Sequence, residues 1–245
     1  MIKGSFKERT GERYITNEGY EIEIIDCSHS SNCVIKFLYN NYIRYNVDFA
    51  DIKRGEIKNP YHPSVYGVGY IGEGIYKAKE NYKMTIPYKK WLGILKRSYG
   101  NTRYYEGVTV CEEWYNFQNF AKWHEENYNS EYMSKWALDK DILIKGNKIY
   151  SPETCCFVPI KINNMILSCK KSRGIYPIGV TKSKNKFIAT VSKKRVGVFD
   201  TSKEAFEAYK IAKEQYIKEI ADEFKNEINL RTYKAIYNWN IEITD

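Results

Sequence analysis

The thirty residues from Lys170 to Phe199 carry nine Lys or Arg and no Asp or Glu. That run narrows what the chain can fold into more than any other feature. Charge so dense and uncompensated has to stay in water, yet the same run alternates. Ile178, Val180, Phe187, Ala189, Val191, Val196 and Val198 recur at near-alternating spacing, with Gly179, Asn185 and Gly197 at turn or close-approach positions. Alternation sends successive side chains to opposite faces of a sheet. The stretch therefore reads as β-sheet with one buried apolar face. Its open face would carry Thr181, Ser183, Lys186, Thr190, Ser192 and Arg195. Cations beside hydroxyls on one face can neutralise phosphates and reach base edges. A solvated edge sheet kept soluble by lysines is the other reading.

The clearest helix signal follows at once. Thr201-Ser-Lys-Glu204 has the form of a capping box, in which the Thr hydroxyl accepts from the first turn and the Glu reaches back. Ala205, Ala208, Tyr209, Ala212 and Tyr216 then repeat at helical spacing and can pack on the back of the basic sheet.

The full chain has 245 residues and a formal net charge of +9, so its positive excess is concentrated in this run. At about 100–200 residues per domain, one to three small domains are expected. Hydrophobic content of 43% and aromatic content of 16% suffice for packed cores and exclude a disordered tail. The 23 Tyr suit wet interfaces and base stacking, although Lys, Ile and Asn are abundant too, as an AT-rich genome would make them. The first residues, Met1 to Arg9, hold no long apolar core, and no window of about 18 apolar residues occurs. No signal peptide or membrane contact is expected, and the expected compartment is the cytoplasm. Six cysteines, at 27, 33, 111, 155, 156 and 169, include no C-x-x-C, so small, reduced, buried thiols are expected. A zinc site from Cys27, Cys33 and His29 matches no familiar spacing and is not expected.

The fold class expected is α+β. Residues 10–80 look β-rich: Tyr20-Glu-Ile-Glu-Ile and Cys33-Val-Ile-Lys-Phe-Leu alternate, with Asn40-Asn41 as a hairpin turn. A strongly bent sheet or small SH3-like barrel follows for residues 1–86. Gly67-Val-Gly-Tyr-Ile-Gly satisfies G-x-G-x-x-G, but no long helical pattern opens after it. These read as turn and packing glycines, and no nucleotide cofactor is expected. Trp91, Leu92 and Leu95 form one helical stripe and Trp114, Phe117, Phe120, Ala121 and His124 another, with His124 a packing residue. Ile142-Leu143-Ile144 and Ile149-Tyr150 read as short strands about a Lys145-Gly146-Asn147 turn, and 159–168 as a short helix.

The run Gly179-Val180, Lys186-Phe187-Ile188-Ala189, Val196-Gly197-Val198-Phe199-Asp200-Thr201, Glu204-Ala205 and Ala208-Tyr209 resembles the ethylene-response-factor (APETALA-type) DNA-binding domain. The resemblance covers about residues 174–220. It implies a three-stranded sheet laid in the major groove and backed by one helix, with Thr181, Lys186, Ile188, Thr190 and Arg195 toward DNA. Lys182, Lys184 and Lys194 are expected to add contacts. The sequence is poorer in Arg than the plant domains, and base-specific readout leans heavily on Arg.

Residues 88–168 resemble HNH endonucleases of bacteriophages. The matching frame is Tyr88-Lys-Lys-Trp91, Lys96-Arg97-Ser-Tyr99, Tyr104-Tyr105, Val110-Cys111-Glu-Glu-Trp114, Phe117, Phe120, Leu138-Asp139-Lys140-Asp141, Tyr150-Ser-Pro-Glu-Thr-Cys155 and Asn163. The two modules are joined in many phage proteins related to homing endonucleases. The resemblance implies units at 1–86, 87–170 and 171–245, the middle one a ββα-metal unit with flanking helices. It implies Asp139 and Asn163 as ligands of Mg²⁺ or Mn²⁺ and places Lys140 where the family has its general-base His. Lysine is ordinarily protonated at neutral pH, and an adjacent carboxylate favours that form. Thr154 stands where the motif's central Asn is usual. A single-metal nuclease needs oxygen ligands and a base that makes hydroxide. Two functions follow: a duplex-DNA-binding protein with a degenerate nicking site, or an inactive nucleic-acid- or protein-binding phage protein, regulatory or directed at a host defence complex.

Overall fold

A computed structural model describes residues 6–103, 105–166 and 175–245. Tyr104, Cys169 and the cations Lys170, Lys171 and Arg173 lie outside the described residues. The architecture is α+β, with several small sheets.

Alternation near the start produces β1 (Arg13–Ile15), β2 (Glu21–His29), β3 (Asn32–Phe37) and β4 (Ile43–Val47), paired antiparallel in chain order. Ile22, Ile24, Ile35 and Phe37 are fully buried on one face, and Glu23 pairs with Lys36 in register on the other. Asn41 takes φ 58° in the β3–β4 turn. β1 and β4 remain edges, so the sheet is open and does not close into a barrel. The short helix α1 (Phe49–Arg54) was not expected; Asp48 caps it by accepting from the Ala50 N–H, and Gly55 ends it at φ 68°. Cys27 and Cys33, directly opposite in the β2–β3 register, are joined in a disulfide, so these two are not the reduced thiols expected.

The glycine-rich loop is a packing element. A Cβ at Gly69 would meet Leu95 and Trp91, and one at Gly72 would run into the Asn116 side chain. Gln118 laces the loop, donating to the carbonyls of Ile71 and Tyr76 and accepting from the Tyr76 N–H. The small hairpin β5 (Lys79–Glu80) and β6 (Lys83–Met84) leads into α2 (Ile86–Tyr99). Then come β7 (Thr109–Val110), a 3-10 turn and α3 (Phe117–Asn127). The two aromatic stripes meet here: Trp91, Leu95, Trp114, Phe117 and Phe120 are fully buried, and Trp91 Nε1 donates to the Trp114 carbonyl at 2.7 Å. Burying such side chains contributes about 1.5–3 kcal/mol each. His124 stands against Phe120, Tyr128 and Phe157 as a buried packing residue. Burial, then the Lys90 charge, lowers its pKa to about 4.

β8 (Trp136–Asp139) pairs antiparallel with β10 (Cys156–Pro159), and α4 (Ile160–Ile166) follows directly. Between them, β9 (Ile149–Tyr150) pairs parallel with β7. The expected strand at Ile142-Leu143-Ile144 is a series of bends. The cause is local: the Asp139 carboxylate draws in the N–H groups of Asp141 and Ile142 and turns the chain out of line.

The basic run forms β11 (Val180–Ser183), β12 (Lys186–Val191) and β13 (Lys194–Phe199), a three-stranded antiparallel sheet in chain order. α5 (Ser202–Glu223) packs on one face behind the capping box at Thr201 and Glu204, and α6 (Leu230–Tyr237) packs on α5. One apolar cluster runs from Trp136, Phe157 and Ile162 through Val180, Ala189 and Val191 to Ala205, Phe206 and Tyr209. The ββα unit and the C-terminal sheet thus share a core. No helix among the described residues is long and apolar enough to cross a membrane.

Candidate functional site

Register decides which side chains the C-terminal sheet shows. Val180, Ala189 and Gly197 lie in one cross-strand row toward α5, and Lys182, Phe187 and Phe199 in another. Thr181, Ile188 and Val198 form a row on the opposite, open face, with Ser183 and Lys186 toward one end and Thr190 and Arg195 toward the other. Thr181, Lys186, Ile188, Thr190 and Arg195 therefore share a face. Lys182 and Lys194 belong to the helix side, opposite Phe187 and Val191, and both are exposed. Lys184 sits in the β11–β12 turn, and Ser192 and Lys193 form the β12–β13 turn, both with positive φ.

Two valines break the simple alternation. Val196 and Val198 are 39% and 46% exposed, where alternation placed them inside. A register shift between Ala189 and Thr190 inserts an extra residue into β13, and a single insertion reverses the side-chain order beyond it. Phe199 takes the inward place. Lys186 is also committed: its ammonium pairs with Asp200. Arg195 makes no ion pair with the described residues.

The second locus is a cleft of about 340 Å³ among α2, the end of β8 and α4. Asp139, Lys140 and Asn163 all line it, so residues far apart in sequence are brought together by the β8–β10 pairing and the helix that follows. Asp139 Oδ1 accepts from the Asp141 N–H at 2.7 Å and the Ile142 N–H at 2.9 Å. Among the described residues its Oδ2 accepts no hydrogen bond, and the Asn163 side chain makes none. Burial raises the Asp139 pKa, opposed by those two N–H groups. A neutral carboxyl is thereby easier to form here than in water, and a cation in the cleft would restore the charge.

Lys140 points elsewhere. Its Nζ donates to both carboxylate oxygens of Asp141 at 2.8 Å and to the Asn147 carbonyl at 2.6 Å. It is the buried lock of the 140–147 hairpin, not a partner of Asp139. Asn147 adds Nδ2 bonds to the carbonyls of Lys140 and Ile149, and Lys148 donates to the Glu106 carbonyl. Thr154 supplies a tether from its hydroxyl to the Ile149 carbonyl at 2.7 Å.

The cleft also holds residues that the motif reading did not name as site residues. Lys89, Lys90 and Arg97, from one side of α2, line it with Asp141, Tyr105 and Tyr150. Arg97 Nε donates to the Tyr150 hydroxyl at 2.9 Å, and its guanidinium lies over the Tyr150 ring. Lys90 donates to the Trp136 carbonyl at 2.6 Å, with its pKa lowered by burial and then by Arg97. Helical spacing of Lys89, Lys90 and Arg97 was the available signal: positions 90 and 97, seven apart, fall on one face. Among the described residues no group of three or more His, Cys, Asp or Glu is placed to hold a metal. The donor set at Asp139 and Asn163 nonetheless suits Mg²⁺ or Mn²⁺. Such ions take one or two protein oxygens and fill their shells with water and phosphate. No family model, curated protein or solved structure matches this chain.

Proposed function

We propose that this is a duplex-DNA-binding protein of phage type. Its C-terminal sheet would engage the groove, and the α2–β8–α4 cleft would hold a backbone phosphate for metal-dependent nicking. The observation that carries the reading is the open sheet face, where hydroxyls, a guanidinium and exposed apolar side chains stand on a unit rich in cations. Phosphate contacts fix position and edge contacts read sequence, and this face has groups for both.

In the cleft, Asp139 through Oδ2 and Asn163 through its amide oxygen would hold Mg²⁺ or Mn²⁺. Such an ion supplies charge neutralisation at the phosphate and the departing oxygen. Lys89, Lys90 and Arg97 would orient the strand from the opposite wall. Arg97 is the best placed to fork two phosphate oxygens, because its guanidinium is already fixed on Tyr150.

A second reading is favoured by one observation. The side chain at the base position, Lys140, is spent on Asp141 and Asn147 and brings donors only. On this reading the chain binds DNA, or a host protein complex, without cutting. A supercoiled-plasmid assay with Mg²⁺ or Mn²⁺ separates the two. The nicking reading expects slow conversion to open circles, reduced at least about tenfold by Asp139→Asn, which keeps the Oδ1 acceptor but removes the anionic charge. Activity indifferent to that change would come from elsewhere, and an inert wild type would leave the binding reading.

A further inference from the structure

We propose that the open face of the C-terminal sheet reads thymine methyl groups, so that its ligand is A·T-rich duplex DNA. The inference rests on the duplex-binding reading above and adds what the duplex must contain.

Neighbouring strands lie about 4.8 Å apart, so the row of Thr181, Ile188 and Val198 spans about 10 Å, a fit to a major groove about 12 Å wide. The middle of that row is apolar. Ile188 faces away from α5 and is not part of the core cluster, while Val198 is 46% exposed. Ile188 and Val198 are direct cross-strand partners on this face, a pairing that stabilises the sheet modestly, yet they leave an apolar surface open between cations. In the major groove, the base-pair feature that matches it is the 5-methyl of thymine. The hydroxyls of Thr181 and Thr190 serve either base type. Guanine, by contrast, is read by a bidentate Arg or Lys. Among the described residues of this face, the guanidinium is that of Arg195, at the end of the sheet opposite Thr190. Lys186 is occupied by Asp200. Charge complementarity to a duplex comes from Lys184 and Lys193 in the two turns and Arg195 on the face, and the centre of the face is left to shape and methyl contact.

The measurement is affinity for a short alternating A·T duplex against the same duplex with deoxyuridine at every thymidine. This swap removes the methyls and keeps backbone, pairing and charge. A buried methyl is worth about fourfold in affinity, so two contacts give about fifteenfold weaker binding to the uracil duplex. The Ile188→Ala/Val198→Ala variant should bind both duplexes alike while keeping the wild-type salt dependence. Neither residue belongs to the core cluster, so the variant is expected to fold, and its thermal melt is recorded beside the wild type's. Equal, salt-sensitive affinity of the wild type for the two duplexes would overturn the methyl inference and leave duplex binding standing. So would equal affinity for an RNA duplex, which lacks the methyls. Absence of binding to every duplex would overturn the duplex reading itself, and this inference with it.

Discussion

Lys140→His is expected to raise Mg²⁺- or Mn²⁺-dependent plasmid nicking by about 10²–10⁴-fold over wild type, the usual contribution of general-base catalysis. Position 140 lines the same cleft as Asp139 and Asn163. The wild-type side chain there brings donors only, all directed at Asp141 and Asn147. A neutral imidazole accepts a proton near pH 7. Asp141, 43% exposed, can be solvated, but the hairpin loses its buried Lys140 lock, so a lower melting temperature is expected. Thermal melting alongside the assay shows whether the variant folds. A folded Lys140→His that nicks no faster than wild type would end the nuclease lineage of the cleft.

Gly179→Ala is expected to destabilise the C-terminal unit by about 2–4 kcal/mol and to weaken duplex binding. Two effects add. Gly179 has φ +74°, where any Cβ is strained, at a cost of about 1 kcal/mol. The new Cβ would also run into the Tyr209 ring, which is buried in the core that joins the sheet to α5. Overpacking of that kind typically costs a further 1–3 kcal/mol. Gly146→Ala is the matched control. Its φ is +76° and nothing lies within 4 Å of the added Cβ, so only the backbone cost of about 1 kcal/mol applies. Denaturant midpoints of the two variants should therefore differ widely, and equal midpoints would show that the Gly179–Tyr209 contact is not tight.

Much of this fold was legible wherever local chemistry and tertiary packing agree. The box at Thr201 and Glu204 opens α5 as its residue types demand, and the stripes through Trp91 and Phe117 became the central core. Gly67, Gly69 and Gly72 were readable as turn and packing glycines because no helix pattern followed them: Gly67 turns at φ +75° in open space, while Gly69 and Gly72 pack closely. Legibility failed where a single side chain or an inserted residue redirects the backbone. The bulge beside Thr190 turned Val198 outward, and no alternation rule foresees a bulge. At Asp139, two N–H bonds to one oxygen bent Ile142-Leu143-Ile144 away from a strand. Helix α1 was hidden because six residues are too few to show a period. In the cleft, the motif frame pointed to Asp139, Lys140 and Asn163. It said nothing of the pairing of Lys140 with Asp141, which only the folded hairpin creates, nor of the role of Arg97 on Tyr150.

The central claim is that the C-terminal sheet carries this chain onto duplex DNA, and its most direct measurement is duplex affinity as a function of salt. Log affinity should fall linearly with log salt, with a slope of roughly −0.9 per phosphate neutralised. Lys184→Ala together with Arg195→Ala should flatten that slope by about two units. These positions are preferable to Lys186, whose removal would also release the Asp200 carboxylate beside the DNA. A slope unchanged by the double substitution would take this sheet out of the interface and contradict the account.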